Sequence, residues 1–295
     1  MKKAIITIGC SASGKSSFAK DLCENDKTFV DVNRDLVRFN GEKKDWITYK
    51  FNKTNESRVT EICNQQVNNA IENNKNIIVS DTNLNNTFRN ILIDKLESNG
   101  YEVELKIFDV EFEELLKRDN NREGGVGYEV LLNQYVNFQR NIKGVVPVDG
   151  FIDLDKENCY ICDLDGTIAD NTNRKIFDFS CVDTDTPIFH VVTIAKSLIE
   201  CGHKIVFVSG RDDICNEQTE HWLKQIFNLD IVELFMRKTG DKRKDYIVKM
   251  EIFDEHIRNT YNVLGCFDDR KQVVEQCWNV LGLKTIFVGD FAKRF

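Results

Sequence analysis

The sequence predicts an α/β protein made of two Rossmann-like three-layer domains in series. Three observations predict it. Short β-branched apolar runs alternate with helix-length amphipathic stretches. The alternation stops at a glycine- and proline-marked segment, 143–150, and then restarts. In each half, the first strand runs straight into a short loop of glycine with polar or acidic residues.

In the first half, 3–8, 29–32, 77–80 and 104–108 read as strands. Helical stretches lie between them near 16–25, 56–73 and 87–99, the order of a parallel α/β sheet. Segment 143–150 breaks helical periodicity and is the candidate linker, giving domains 1–148 and 149–295. In the second half, 159–163, 204–209, 263–267 and 285–288 read as strands. Helices fit 190–201, 216–227, 244–258 and 271–281.

A chain of 295 residues can bury two cores without disulfide or metal staples. With 41% hydrophobic and 30% charged residues it reads as globular, not disordered. No apolar run reaches about 18 residues, so no membrane span is expected. The N-terminus enters a strand at once, too short an apolar run for a signal peptide. Ten scattered cysteines imply reduced thiols and a cytoplasmic location. Cys159 and Cys162 form a CxxC, but residues three apart on a strand face opposite ways and chelate a metal poorly. The bland reading, buried small hydrophobes, is preferred for them.

Net charge is −8. The first 150 residues carry 21 basic and 23 acidic side chains, the rest 19 and 25. Neither half is a basic nucleic-acid coat. A bound polynucleotide would have to be gripped locally by a few arginines, and charge alone favours a small-molecule substrate.

The segment Gly9-Cys10-Ser11-Ala12-Ser13-Gly14-Lys15-Ser16 matches GxxxxGK[ST] after a strand and before a helix. Backbone N–H groups of such a loop curl around nucleotide phosphates, and the helix N-terminus adds positive potential. Lys15 would neutralise β/γ-phosphate charge and Ser16 would ligate Mg²⁺. The glycines Gly9 and Gly14 are expected to carry the turns, which makes Ala12 tolerable. Asp35 follows the second strand, where a carboxylate can take a proton from an attacking hydroxyl. Arg38, three residues on, suits an anionic part of the acceptor. A solvated Asp–Arg pair at a helix start is the plain alternative. Asp81, after the third strand, occupies a Walker-B-like place, and helix capping explains it nearly as well. Arg118 and Arg122 precede Gly124-Gly125-Val126-Gly127, as in a lid over ATP. Four apart, they can share one helical face; Arg122 is the preferred clamp, and an ordinary polar helix end is the alternative.

Asp163-Leu164-Asp165-Gly166-Thr167 directly follows the first strand of the second half. It resembles the first motif of the haloacid-dehalogenase phosphatases. Asp163 can attack phosphorus, and Asp165 can protonate the leaving oxygen and later activate water. Ser209-Gly210-Arg211 closes the next strand, where Ser209 can hydrogen-bond phosphate. Lys244 or Lys249, with Lys249 favoured, would neutralise the phosphoryl group. Asp268-Asp269 follow a later strand and add carboxylate for Mg²⁺. About 20 residues separate Thr167 from the next helix, too few for more than a minimal cap, as expected of a site open to a polymer end or a protein.

With these motifs together, the chain resembles the bacteriophage-type bifunctional polynucleotide kinase 3′-phosphatases over nearly its whole length. NRDLVR (33–38), SDTNLN (80–85), DLDGT (163–167), SGR (209–211), GDKRKDYIVKMEIF (240–253) and DDR (268–270) carry the resemblance beyond the phosphate loop. It implies an adenylate-kinase-like P-loop domain followed by a haloacid-dehalogenase-like phosphatase. ATP or another nucleoside triphosphate would be donor, contacted by Gly9, Cys10, Ser11, Ala12, Ser13, Gly14, Lys15, Ser16, Ser17 and the lid residue Arg122. Asp35 would be general base for a 5′-hydroxyl, with Arg38, Asp81 and Thr82 on the acceptor. Asp163 would be nucleophile and Asp165 general acid. Arg174, Ser209, Gly210, Arg211 and Asp245 would bind the second substrate. The metal set would be Ser16 in one site and Asp163, Asp165, Asp268 and Asp269 in the other, with Mg²⁺ as the ion.

The implied activity is end healing of DNA or RNA: phosphorylation of 5′-OH ends and removal of 3′-phosphate, with 2′,3′-cyclic phosphate as a further substrate class. A ligase would use the product. The resemblance also implies a homo-oligomer, a tetramer in the family, and a phage- or virus-encoded enzyme acting in host cytoplasm. Two rivals remain at this point. One is a small-metabolite kinase fused to a metabolite phosphatase, which the acidic balance favours. The other is a nucleotide-gated scaffold with an inert second domain, against which Asp163, Asp165 and Lys249 speak.

Overall fold

The computed structural model describes residues 2–40, 49–175 and 178–290. The chain divides into two compact units, Met1–Gly144 and Val145–Phe295. The division falls inside segment 143–150, slightly ahead of the break expected at 148/149. Packing explains the difference. Val145 and Val148 lie against the second unit's core, and the Val148 amide donates to the Leu281 carbonyl at 2.8 Å.

In the first unit, β1 (Lys2–Ile8), β2 (Phe29–Val32), β3 (Asn76–Val79) and β4 (Tyr101–Ile107) form a sheet in the order β2-β3-β1-β4. All three pairings are parallel. Strand β1 shows why its sequence is an unbroken apolar run: Ala4 and Ile6 enter the core on one face, Ile5 on the other. Among the described residues six helices accompany the sheet: α1 (Lys15–Asn25), α2 (Arg34–Arg38), α3 (Lys53–Glu72), α4 (Asn86–Ser98), α5 (Phe112–Asn120) and α6 (Tyr128–Asn141). The asparagine-rich composition finds a use here. Asn33, Asn52 and Asn85 each cap a helix, their side-chain oxygens accepting backbone N–H groups of the first turn.

In the second unit, β5 (Glu157–Cys162), β8 (Lys204–Asp212), β9 (Glu233–Arg237), β10 (Tyr261–Asp268) and β11 (Thr285–Phe287) form a sheet in the order β11-β10-β5-β8-β9, all parallel. Between β5 and β8, the short strands β6 (Ala169–Asp170) and β7 (Thr186–Pro187) pair antiparallel. This is the cap-sized insertion expected from chain length. Cys159 packs in one core cluster and Cys162 in the other, on opposite faces of β5. All ten cysteines are free, and burial pushes the Cys159 thiol up to about 12. The bland reading of the CxxC stands.

The second unit departs from expectation in two ways. The edge strand β9 was not anticipated; of its five residues only Met236 is buried, so it lacks the dense apolar run of a central strand. The helices α7 (Phe189–Glu200) and α8 (Asn216–Phe227) appear where periodicity puts them. The two long helices expected at 244–258 and 271–281 change pitch instead. Helix α9 (Asp245–Ile252) continues as a π-helical turn, Phe253–Ile257. The short α10 (Lys271–Val273) continues likewise through Val274–Trp278. Such turns cluster at functional sites, and here one leads to Trp278, whose Nε1 donates to Asp268 Oδ2 at 2.9 Å.

Candidate functional sites

The first site lies at the C-terminal ends of β1, β2 and β3. A cleft of about 690 Å³ is lined by Ser11 to Ser17, by Asp35 and Arg38, by Asp81 and Thr82, and by Arg118 and Arg122. At Gly9 an added Cβ would stand 2.8 Å from the Phe108 carbonyl oxygen, so only glycine permits the loop's close approach. Ala12 corrects the sequence reading. It holds φ 63 itself, alongside Gly14 at φ 102, so the left-handed turn is not carried by glycine alone. The Gly9 amide donates to the Thr82 carbonyl at 3.1 Å, which ties the loop to the segment after β3.

Lys15 is buried and donates to the Cys10 carbonyl at 2.6 Å and to Ser13 Oγ at 3.3 Å. Burial lowers its ammonium to about 8, partly offset by Cys10 and Asp81. A buried cation folded onto its own loop, above the N-terminus of α1, fits the phosphates of a nucleotide.

Helix α2 is five residues long, and its i, i+3 spacing brings Asp35 and Arg38 together. Arg38 Nη1 lies 2.9 Å from Asp35 Oδ1. Arg38 is also held by Glu56, with Nη2 2.6 Å from Oε2. Sequence reasoning missed Glu56, which also accepts from Arg34 and Tyr49; its place in the first turn of α3 was the available signal. Asp81 Oδ1 accepts the Arg34 amide at 2.8 Å, and desolvation raises its carboxyl to about 6. That bond serves the start of α2, so Asp81 has the capping contact while facing the cleft.

The lid arginines need a correction. Helix α5 ends at Asn120, so Arg118 and Arg122 do not share a helical face. Both still line the cleft. Arg118 pairs with Glu114 at 2.7 Å, whereas Arg122 pairs with the buried Asp119 at 2.5 Å. Asp119, also missed, accepts the Val126 and Gly127 amides at 3.1 and 2.8 Å and so fixes the glycine loop. Gln134 of α6 was missed too; its Oε1 accepts the Ser11 amide at 2.6 Å.

The second site lies at the C-terminal ends of β5, β8 and β10. Carboxylate oxygens of Asp163, Asp268 and Asp269 all lie within 4.8 Å of one another. Lys249, fully buried, lies 2.7 Å from Asp163 Oδ1, 3.0 Å from Asp268 Oδ2 and 3.7 Å from Asp245 Oδ2. Burial lifts Asp163 well above the carboxylate range, and Lys249 opposes that lift. Burial and Asp268 bring Asp269 up to about 6. Three crowded, desolvated carboxylates are an oxygen-only donor set that suits a hard divalent cation such as Mg²⁺.

Asp165 was also expected in the metal set. Its carboxylate is not part of that trio. It accepts from Arg211 Nε at 2.8 Å and Nη2 at 2.7 Å, and from Arg174 Nη2 at 3.2 Å. Both arginines are anchored from behind by Asp185, which is fully buried and accepts from Arg174 Nε at 2.7 Å and Arg211 Nη2 at 2.6 Å. No motif flagged Asp185. Ser209 is buried, and its Oγ accepts the Arg211 amide at 3.1 Å. At Gly210 an added Cβ would fall 2.2 Å from Asp245 Oδ1, so a larger residue would displace that carboxylate. Asp245 in turn bridges Lys249, Arg237 and Arg270. Burial would raise its carboxyl, but those three cations more than offset it and the net shift is downward.

Comparison with known proteins adds to this geometry. Residues 157–291 match the family model of the polynucleotide kinase PNKP phosphatase domain, and residues 5–142 match that of an AAA domain. A protein of Autographa californica nuclear polyhedrosis virus, provisionally named a bifunctional polynucleotide kinase/RNA ligase, is 35% identical over 97% of this chain. The chain spans 42% of that relative's length. A solved chain from the Pnkp1/Rnl/Hen1 RNA repair complex is 28% identical, covers 98% of this chain and 97% of its own, and superposes with a TM-score of 0.45. A chain from a second structure of that complex is 29% identical, with 98% of each chain covered and the same score. Among the described residues, no helix is long and apolar enough to cross a membrane. The chain therefore consists of a P-loop kinase-type domain followed by a haloacid-dehalogenase-like phosphatase domain, and the second of these matches the polynucleotide kinase PNKP phosphatase family.

Proposed function

We propose that this protein heals nucleic-acid ends, phosphorylating 5′-OH termini and removing 3′-phosphates. The observation that carries the reading is one cleft holding Lys15, Asp35 and Arg38 in a chain whose second domain is of the polynucleotide kinase/phosphatase family. That family match supports a strand end over a small metabolite as substrate.

In the first site the loop 9–16 and Lys15 hold the donor's phosphates, with Ser16 as the residue offered to Mg²⁺. Arg38 binds the acceptor's adjacent phosphate. Asp35 takes the proton of the 5′-hydroxyl as its oxygen bonds to the γ-phosphorus and the bond to the leaving nucleoside diphosphate breaks. Arg122, presented by the Asp119-held loop, clamps the transferring group.

In the second site Asp163 attacks phosphorus, forming an aspartyl-phosphate as the bond to the 3′-oxygen breaks. Mg²⁺, when bound by Asp163, Asp268 and Asp269, supplies charge neutralisation at the phosphoryl group. Arg174 and Arg211 meet the incoming phosphate, which draws them from Asp165 and leaves that carboxyl able to carry a proton. Asp165 protonates the 3′-oxygen, then takes a proton from the water that releases inorganic phosphate. Ten free cysteines agree with action in a reducing cytoplasm. The 5′-phosphate and 3′-OH produced are what a ligase joins, and the viral relative's name includes an RNA ligase.

The test uses one oligonucleotide with a 5′-OH and a 3′-phosphate, as RNA and as DNA, with labelled ATP. Asp35→Ala should end 5′ labelling and spare 3′-phosphate release; Asp163→Ala should do the reverse. Wild-type protein that leaves both ends unchanged while phosphorylating a nucleoside or sugar would overturn the reading.

A further inference from the structure

Beside the kinase cleft, a second groove of about 780 Å³ opens in the first unit. The two share Arg34, Asp81, Thr82 and Gln134 in their linings, so one leads into the other. The groove runs between α3, the loop after β3, α4 and α6. Its size is that of a ligand site, for which about 300–1,000 Å³ is usual.

The chemistry of the groove differs from that of the whole chain. The protein carries a net charge of −8, yet the lining holds Arg34, Arg89 and Lys95 against one carboxylate, Asp81. Phe88 presents its ring with 73% of the residue exposed, and Ile91 follows at 59%. Arg89 donates through Nη1 to the Asn83 carbonyl at 2.7 Å and through Nη2 to Asn86, while its shielded Nε has no hydrogen-bond partner among the described residues. A cationic groove with an exposed aromatic ring, running on from a site that handles a 5′-terminal hydroxyl, is the arrangement that holds single-stranded nucleic acid without reading its sequence.

We propose that this groove binds the nucleotides following the 5′-terminal one of a single-stranded acceptor, with Phe88 as stacking platform and Arg89 and Lys95 as backbone phosphate contacts. The assignment rests on the kinase reading above and extends it: the terminal nucleotide sits at Asp35 and Arg38, and the strand passes Arg34 into the groove. The acidic chain thereby grips a polyanion locally.

The experiment measures kinase kinetics of the full chain with two acceptors, a nucleoside 3′-monophosphate and a 5′-OH hexanucleotide. Phe88→Ala and Lys95→Gln are compared with wild type; Phe88 is exposed and Lys95 half-buried, so neither change opens the core, and circular dichroism checks that each variant is folded. The hexanucleotide KM should rise about fivefold or more in Phe88→Ala, as loss of one base stack implies. The KM values for ATP and for the nucleoside 3′-monophosphate should stay put. For Lys95→Gln, the salt dependence of hexanucleotide binding should lose about 0.7 from its log–log slope, the share of one phosphate contact. Equal shifts for both acceptors, or none for the hexanucleotide, overturn the groove assignment while leaving the kinase reading intact. Wild-type protein that phosphorylates neither acceptor overturns both.

Discussion

Lys249 and Asp163 form a buried ion pair, Nζ to Oδ1 at 2.7 Å, with the lysine side chain wholly enclosed. The pair joins α9 to the end of β5 and puts a fixed positive charge beside the proposed nucleophile. Removing one member of such a pair leaves the other uncompensated at a cost of about 3–5 kcal/mol. Lys249→Met should therefore lower the second unit's unfolding midpoint and cut 3′-phosphate release by about 10²-fold or more, the scale seen when one charge-stabilising donor is lost. Lys249→Arg, which keeps the charge but not the fit, should fold better and remain impaired. Calorimetry and phosphate release decide it. An active Lys249→Met would remove the lysine from the mechanism.

Asp185 touches no expected substrate atom; it positions Arg174 and Arg211. Asp185→Asn should raise the KM for a 3′-phosphorylated oligonucleotide about tenfold, with a smaller fall in kcat, because the arginines lose their anchor while the nucleophile stays in place. A purely structural role would instead lower the active fraction and leave KM unchanged.

The cluster around Glu56 fixes a pH dependence. Hydrogen bonds from Arg38, against the cost of burial, hold the Glu56 carboxyl down to about 2 from an ordinary 4.5. A depressed carboxylate stabilises the fold fully above its unfolded value. That support drains away as pH falls from about 4.5 through about 2. Glu56→Gln should flatten the acid side of the first unit's stability profile in this window and leave it unchanged near neutrality in slope. Acid titration followed by circular dichroism reads the difference.

Ala12 in the phosphate loop stands at φ 63, where a β-branched side chain is a steric outlier. Ala12→Val should cost about 1–2 kcal/mol and weaken ATP binding, whereas Ala12→Gly should be tolerated or mildly stabilising. Thermal unfolding with and without ATP checks both. An Ala12→Val protein with unchanged stability would show that the loop relaxes out of this conformation.

Much of the fold was legible because parallel strands buried on both faces leave dense apolar runs, as at β1, β5 and β10. Strand β9 was not, since only Met236 of it is buried and it pairs on one side. Contiguous motifs revealed Lys15, Asp35, Asp163 and Asp268. Residues that act from a distance in sequence left no such mark. Glu56 reaches Arg38 across 18 positions, and Asp185 reaches Arg211 across 26; only the folded chain brings them together. Asp165 shows the opposite limit: its place in the motif was clear, but its partners are arginines and not the carboxylate trio. Arg122 was placed on a helix that ends two residues too soon.

The insertion between the loop of the two proposed catalytic aspartates and helix α7 is small: the paired strands β6 and β7, two residues each, and one 3-10 turn, Phe179–Thr184. A roof that slight has little to lift between successive turnovers. Bulky strand ends and short ones should then be processed at similar maximal rates, and a viscous solvent should slow encounter without imposing a further gating delay on each cycle.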